Sequence, residues 1–239
     1  MGYIINWFLS HPYIALGIIA TSCVFVWLIK CQKRLGWKWQ TALSVAAFQA
    51  FAAIAICAKI MAIIETWDIH TDLNYRVYGP VFMMPLLYWL LAKMTKRKTA
   101  DVFDVMVIAL CINLILARVL CFLSGCCVGV LISETGTVRW PLRELEELFY
   151  VVFIIFNYKK VEKGKTHGEV YPLYLISYGV FRFLIEWLRE EFTFKLGIFT
   201  IAHIWSMISV VIGCVLYYYV TKKKANIDHK SGKRRGKND

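Results

Sequence analysis

Charged residues are scarce in this chain of 239 residues: they make up 18% of it, whereas 59% of the residues are hydrophobic and 15% are aromatic. That balance excludes an ordinary water-soluble domain, in which about a quarter of the residues are charged. Residues 1–12 contain no lysine or arginine, and no small-residue cleavage pattern follows them. We therefore expect the first hydrophobic segment to be a retained helix and not a secretory signal. The chain also lacks an internal repeat, which argues against a transporter.

About seven hydrophobic segments fill most of the chain, and most of them approach the ~20 residues that a membrane-spanning helix needs. The fifth segment is the shortest. Together they predict an all-α fold, namely a polytopic membrane helix bundle of about seven transmembrane helices that forms one domain over residues 1–221. The segments lie at 12–29, 41–64, 77–92, 102–123, 146–158, 169–188 and 196–220.

Lysine and arginine cluster after alternate segments, at 30–38, 93–98, 159–165 and 222–224, whereas the intervening loops are acidic. Because these residues accumulate on the cytoplasmic side of a membrane, the pattern predicts an outside N-terminus and a cytoplasmic C-terminus. It also accounts for the net charge of +12 without nucleic acid as a partner. Residues 222–239 have few apolar side chains to pack, so we expect a basic, disordered tail that touches lipid.

Three cations, Lys59, Arg118 and Arg182, lie inside different hydrophobic segments near the predicted outer side. At 1.5 Å per residue, Arg118 and Arg182 lie about 8 to 9 Å below the outer ends of their segments. Each buried cation costs roughly 2.5 to 3.5 kcal/mol on insertion scales, so three at one level indicate an anionic partner, such as a lipid phosphate. Snorkelling to the interface is the alternative, and it weighs most for Lys59.

Two of these segments carry polar residues around their arginine. Tyr178, Arg182 and Glu186 recur at every fourth position and share one helix face, where we expect Arg182 to pair with Glu186. A helix that only had to span a membrane would need neither charge.

The fourth segment places Arg118, Cys121 and Ser124 at intervals of three residues, and Gly125 follows. The glycine allows the backbone to approach a ligand closely. A guanidinium group suits a phosphate, because its planar fork binds two oxygens at once.

These stretches resemble the prolipoprotein diacylglyceryl transferase family of bacterial inner-membrane enzymes. Residues 178–189 are similar to the family's Tyr-Gly-x-Phe-Arg-x-x-x-Glu-x-x-Arg pattern. Residues 117–125 are similar to a divergent Gly-Arg-x-Gly-Asn-Phe-x-Asn-Gly signature. Weaker similarity extends from the second segment through Ser206.

The resemblance implies a multi-pass enzyme of the bacterial cytoplasmic (inner) membrane. Such an enzyme moves the diacylglyceryl group of phosphatidylglycerol to the lipobox cysteine thiol of a lipoprotein precursor and releases glycerol phosphate. Arg118 and Arg182 would bind the phosphate, and Glu186 is the candidate base, with Tyr78 beside it. The expected lipid-binding residues are Lys59, Gly79, Cys121, Ser124, Gly125, Tyr178, Arg139 and Arg143. We expect no cofactor and no metal, because no histidine lies near Cys121, Cys126 and Cys127 in the sequence.

The chain departs from the family pattern at several polar positions. Tyr78 stands where the family has a histidine, Cys121 and Ser124 replace two asparagines, and His203 with Ser206 replaces Gln-x-x-Ser. A phenol is a poor base at neutral pH. Two alternatives therefore stay open: a divergent paralogue that acts on another acceptor, and a non-catalytic phospholipid-binding membrane protein.

Charges near the ends of two segments have ordinary interpretations. Glu146 matches a glutamate of the family, but its charged surroundings at 139–147 favour a solvated face. Asp104, near the cytoplasmic end of the fourth segment, is expected to cap that helix or to pair with Lys96 or Arg97.

Overall fold

The computed structural model describes residues 12–57, 60, 63–64, 78–123, 125, 129–132, 137–190, 195–196 and 198–235. It confirms the all-helical prediction, because each predicted hydrophobic segment contains a helix and the described strands are only two residues long. The helices are α1 (Pro12–Lys30), α2 (Gln32–Leu35), α3 (Trp39–Phe51), α4 (Tyr78–Met94), α5 (Thr99–Leu123), α6 (Leu142–Glu162), α7 (Val170–Glu186) and α8 (Ile201–Arg235). A π-helix, Ala52–Cys57, continues α3, and β1 (Lys195–Leu196) pairs antiparallel with β2 (Phe199–Thr200).

Two helices of the described part of the chain, Thr99–Leu123 and Ile201–Lys224, are long and apolar enough to cross a membrane. A shorter apolar helix covers Ile14–Lys30. These helices are consistent with a membrane helix bundle. The number of spans and the orientation of the termini stay predictions.

Helix α5 lies at the centre of the bundle and packs against α1, α4 and α6. Its residues from Val105 to Cys111 are all buried, as expected for a helix that is apolar on every side. The helix ends where Gly125 adopts a left-handed backbone, with φ of 68°, a conformation that favours glycine.

Helices α7 and α8 make the most extensive contact in the bundle. Gly179 allows the close approach, because a Cβ at that position would lie 2.8 Å from the backbone oxygen of Ser206. A Cβ at Gly213 would likewise lie 3.0 Å from the backbone nitrogen of Ile176. The two glycines therefore set the distance at which residues of α8 face Glu186 on α7.

Arg34 closes the predicted cytoplasmic end of the bundle. Its guanidinium donates to Asp101 at 2.9 Å and to Asp104 at 3.0 Å, and also to the Thr166 side chain at 2.9 Å. Asp104 in turn accepts from the backbone of Gly168 at 2.8 Å. Asp104 therefore pairs with Arg34, and not with Lys96 or Arg97 as expected from the sequence. That part of the prediction was wrong because the partner comes from a distant turn.

The last helix continues to Arg235, through residues whose composition predicts a disordered tail. Lys224 lies near the start of this extension, and its Nζ lies 3.3 Å from the Glu169 carboxylate in the turn before α7. This ion pair joins the basic extension to the bundle.

Candidate functional site

Four charged side chains from three helices form one buried network near the predicted outer side. Arg118 on α5 pairs with Glu146 on α6, and Arg182 on α7 lies 3.2 Å from the other oxygen of the same carboxylate. Arg182 also binds Glu186 at 2.6 Å, which confirms the expected pair within α7. Two guanidinium groups thus face two carboxylates, so their formal charges cancel in this ligand-free protein.

Helix periodicity explains how each helix contributes to this network. On α6, Glu146, Tyr150, Phe153 and Asn157 recur at intervals of three or four residues, and all are buried. On α7, Tyr178, Arg182 and Glu186 form the matching inward face. A buried ion is tolerated only when it is paired and hydrogen-bonded, and both faces meet that condition here.

Tyrosine rings line the network on its inner side. Tyr178 stacks against Tyr174 with the ring centroids 5.5 Å apart, and against Tyr150 at 5.8 Å. Phe149 also lies against Tyr178, at 5.6 Å. This apolar wall separates the charged groups from the centre of the bundle, and water exclusion of that kind strengthens electrostatic interactions.

Tyr78 begins α4 beside the buried Gly79, and its hydroxyl lies 2.5 Å from the Ser206 hydroxyl on α8. Ser206 already donates to the backbone oxygen of Ala202 at 2.7 Å. Since a hydroxyl has one proton, Tyr78 must be the donor to Ser206. Its ring centroid lies 6.0 Å from that of Tyr178, so the structure brings Tyr78 next to the network.

Glu186 has a second donor that the sequence did not predict. The Thr200 hydroxyl lies 3.1 Å from Glu186 Oε1 and 2.9 Å from His203 Nδ1. The Thr200 backbone N–H also donates to His203 Nδ1, at 3.1 Å. The short pairing of β1 with β2 places Thr200 directly before α8, so Glu186 is connected to His203 through a single threonine.

The end of α5 lies beside the network. Arg118 donates to the thiol sulfur of Cys121 at 3.9 Å, and Arg143 on α6 donates to the backbone oxygen of Cys121 at 3.4 Å. The Arg143 guanidinium also lies 5.0 Å from the ring centroid of Phe122. Gly125 follows in an exposed turn. Cys121 and Arg143 therefore occupy the edge of the charged network.

Arg139 lies farther out, in a loop that pairs with the segment after α7. It donates to the backbone oxygen of Gly129 at 3.1 Å and forms a half-exposed ion pair with Glu190. The backbone N–H of Val130 donates to the oxygen of Leu188 at 2.9 Å. The structure thus places Arg139 on the outer loops, and not with the buried arginines.

Two predicted lipid-binding residues, Lys59 and Ser124, lie outside the described residues. The most important residue that the sequence interpretation missed is Glu146. It was expected on a solvated face, but it is 1% exposed and binds both arginines. The signal that would have found it is the buried face on which it lies with Tyr150 and Phe153.

Comparison with known proteins agrees with this geometry. The family model described as prolipoprotein diacylglyceryl transferase matches residues 5–219. The chain belongs to this family. The resemblance drawn from residues 117–125 and 178–189 is therefore confirmed.

Curated members of the prolipoprotein diacylglyceryl transferase family are similar over most of their length. A phosphatidylglycerol–prolipoprotein diacylglyceryl transferase of Dehalococcoides mccartyi is 22% identical and covers 90% of this chain and 89% of its own. The enzyme of that name from Clostridium tetani is 24% identical and covers 85% and 89%. One from Fervidobacterium nodosum is 38% identical over 85 residues, which are 35% of this chain and 29% of its own.

Proposed function

We propose that this protein transfers the diacylglyceryl group of phosphatidylglycerol to the lipobox cysteine of a lipoprotein precursor. The observation that carries the proposal is the buried network in which Arg118 and Arg182 share Glu146. The names of the relatives supply the reaction, and the paired arginines supply a site for its anionic donor. Arginine is well suited to this task because it can hold two phosphate oxygens at once.

The phosphodiester of phosphatidylglycerol carries one negative charge, as does the carboxylate of Glu146. Exchanging one for the other between Arg118 and Arg182 leaves the charge of the site unchanged. A ligand of a different charge would leave a buried charge uncompensated, which is costly. Glu146 is therefore a stand-in for the phosphate in the ligand-free protein, and the donor lipid displaces it.

The reaction then needs one substitution at carbon. The sulfur of the lipobox cysteine attacks the glycerol carbon that bears the phosphate oxygen, and a carbon–sulfur bond forms as the carbon–oxygen bond breaks. The electron pair leaves with the phosphate, which departs as glycerol phosphate and gains negative charge. Arg118 and Arg182 stabilise that charge as it develops, and preorganised donors of this kind contribute strongly to catalysis.

The thiol must lose its proton, since the thiolate is the nucleophile. Glu186 is the candidate base named from the sequence, although it already accepts from Arg182 and Thr200. Glu146 is released from both arginines when the phosphate binds, so it becomes a second acceptor for the proton. Tyr78 donates to Ser206, which makes it a positioning residue and not a base.

The remaining predicted residues surround this centre. Gly79 and Tyr178 lie beside the network, Cys121 and Arg143 at its edge, and Gly125 and Arg139 in the outer turns. We place Lys59 and Ser124 at the same lipid site on the strength of the sequence alone. About seven spans, an outside N-terminus and a cytoplasmic C-terminus would set the site in the outer half of a bacterial inner membrane.

A transfer assay with the purified protein tests the proposal. The protein is incubated with a lipobox peptide and with vesicles of phosphatidylglycerol or of phosphatidylcholine, and the mass of the peptide is measured. We expect a diacylglyceryl adduct only with phosphatidylglycerol, and none on a peptide whose cysteine is replaced by serine. Absence of the adduct from a folded protein that still binds phosphatidylglycerol would favour the non-catalytic alternative.

A further inference from the structure

His203 lies on α8 one turn before Ser206 and is 1% exposed. Its Nδ1 accepts the backbone N–H of Thr200 at 3.1 Å, whereas its Nε2 has no hydrogen-bond partner within the described part of the chain. A buried polar atom without a partner costs free energy comparable to that of a lost hydrogen bond, about 1 to 3 kcal/mol. This nitrogen therefore indicates a ligand.

The contacts of the imidazole fix its tautomer. A ring nitrogen that accepts an N–H must use its lone pair, so Nδ1 carries no proton and the proton of the neutral ring lies on Nε2. The same lone pair cannot also accept the Thr200 hydroxyl, which therefore donates to Glu186 Oε1 at 3.1 Å. His203 thus presents an N–H donor through Nε2, and the missing partner is an acceptor.

Aromatic side chains surround this donor. The imidazole lies 4.9 Å from the ring of Phe183, 4.7 Å from that of Trp187 and 5.6 Å from that of Phe199, measured between ring centroids. None of these rings offers an oxygen acceptor. Trp187 is itself 52% exposed, so the imidazole lies only one side chain away from the surface of the bundle. A lipid headgroup that moves this ring aside can reach Nε2.

We propose that His203 binds the headgroup of the donor lipid, with Nε2–H donating to a phosphate or glycerol oxygen. The assignment rests on the proposed function. Its position supports it, because Thr200 connects His203 to Glu186 and Glu186 pairs with Arg182. The donor therefore lies beside the arginines that hold the phosphate, and it faces the glutamate through one hydroxyl.

This role differs from that of a general base. A base needs a free lone pair, and the lone pair of His203 is occupied by the backbone N–H of Thr200. Glu186, the carboxylate nearest along this chain of contacts, is held by Arg182 and Thr200. A neutral donor adds no charge to a site whose ion pairs already cancel. We expect His203 to act on lipid affinity and not on the pH dependence of the chemical step.

Two substitutions separate the possibilities. His203→Gln retains an acceptor for the Thr200 N–H and an N–H donor for the ligand, whereas His203→Leu has a similar volume and neither group. Transfer to a lipobox peptide is measured against the concentration of phosphatidylglycerol in mixed micelles, across pH 5 to 9. We expect KM for the lipid to rise about tenfold in His203→Leu and less than about threefold in His203→Gln, which corresponds to loss of one hydrogen bond. The pH profile should be the same in all three proteins.

Direct lipid binding keeps the test independent of turnover. Native mass spectrometry of the same proteins with phosphatidylglycerol and with phosphatidylcholine measures binding, and thermal unfolding shows that each variant is folded. Unchanged lipid KM and binding in a folded His203→Leu protein would overturn the assignment while leaving the transferase intact. Loss of turnover in His203→Gln together with one limb of the pH profile would show a base instead. Weaker binding by His203→Leu in a protein without any transfer would sustain the assignment and refute the proposed function.

Discussion

Arg118 and Arg182 lie on different helices, yet both bind the carboxylate of Glu146, one at each oxygen. This arrangement holds two guanidinium groups side by side in a buried site, where they would otherwise repel each other. A carboxylate that bridges two cations in this way has the charge and the two-oxygen geometry of one edge of a phosphate group. The bridge therefore explains both why the ligand-free protein tolerates the buried arginines and what can replace Glu146.

Replacing Glu146 by glutamine should destabilise the protein. The substitution leaves two buried cations with one carboxylate, and breaking a buried pair costs about 3 to 5 kcal/mol. We expect a clear fall in the unfolding temperature, measured in detergent by intrinsic fluorescence. Glu144→Gln, on an exposed part of the same helix, should leave that temperature unchanged.

Phosphatidylglycerol should restore much of the stability lost in Glu146→Gln. Because the phosphate replaces the missing charge, the lipid should raise the unfolding temperature of this variant more than that of the unchanged protein. Phosphatidylcholine, which has no net charge, serves as the matched lipid. Equal shifts with the two lipids would show that the phosphate does not occupy the position of Glu146.

Replacing Tyr78 by phenylalanine should reduce turnover only modestly. The hydroxyl donates to Ser206, and the loss of one such bond costs about 0.5 to 1.5 kcal/mol, or at most about tenfold in rate. The measurement is kcat for transfer to a lipobox peptide at saturating lipid. A loss of several thousandfold in a folded variant would instead assign the phenol a direct part in proton transfer.

The inward face of α7 could be predicted from the sequence, whereas the identity of its partners could not. Tyr178, Arg182 and Glu186 follow from helical periodicity alone, since residues four apart share a face. Glu146 lies among charges that resemble a solvated face, and only the packing of α6 against α5 turns it inward. Thr200 joins the site through the pairing of β1 with β2, a contact for which two-residue strands give no sequence pattern.

The other end of the bundle shows the same limit. The charge of Asp104 suggested a local partner, but the guanidinium that binds it belongs to Arg34 and is held by Thr166 as well. Hydrophobic segments reveal where helices lie because each helix is a local structure. Ion pairs between helices depend on which turns meet, and that depends on the whole fold.

Replacing Asp104 by alanine should therefore affect stability and not lipid affinity. Arg34 would lose one of its two carboxylates in a buried site, at a cost of about 3 kcal/mol or more. We expect a lower unfolding temperature but an unchanged KM for phosphatidylglycerol. A raised lipid KM in a folded Asp104→Ala protein would mean that the Arg34 cluster is coupled to the candidate site.

The predicted orientation can be checked with reporter fusions. Alkaline phosphatase is active outside the cytoplasmic membrane, and green fluorescent protein fluoresces inside it. We expect phosphatase activity from a fusion after residue 138, and fluorescence from fusions after residues 98, 165 and 224, because Lys and Arg favour the cytoplasmic side. The reverse pattern would place Arg118 and Arg182 in the inner half of the membrane and contradict the outer-leaflet site.

The most direct test of the account is transfer by the Arg118→Ala and Arg182→Ala proteins, compared with the unchanged protein and with Arg97→Ala. Arg97 lies at the other end of the bundle, where it donates to the backbone oxygen of Gly36, so it controls for the loss of one positive charge. We predict that each of the two buried-arginine variants loses about a hundredfold or more in kcat/KM, as expected when a donor to the developing charge is removed. Arg97→Ala should retain full activity. Transfer that persists in a folded Arg182→Ala protein at the rate of Arg97→Ala would contradict the central claim that the paired arginines hold the phosphate.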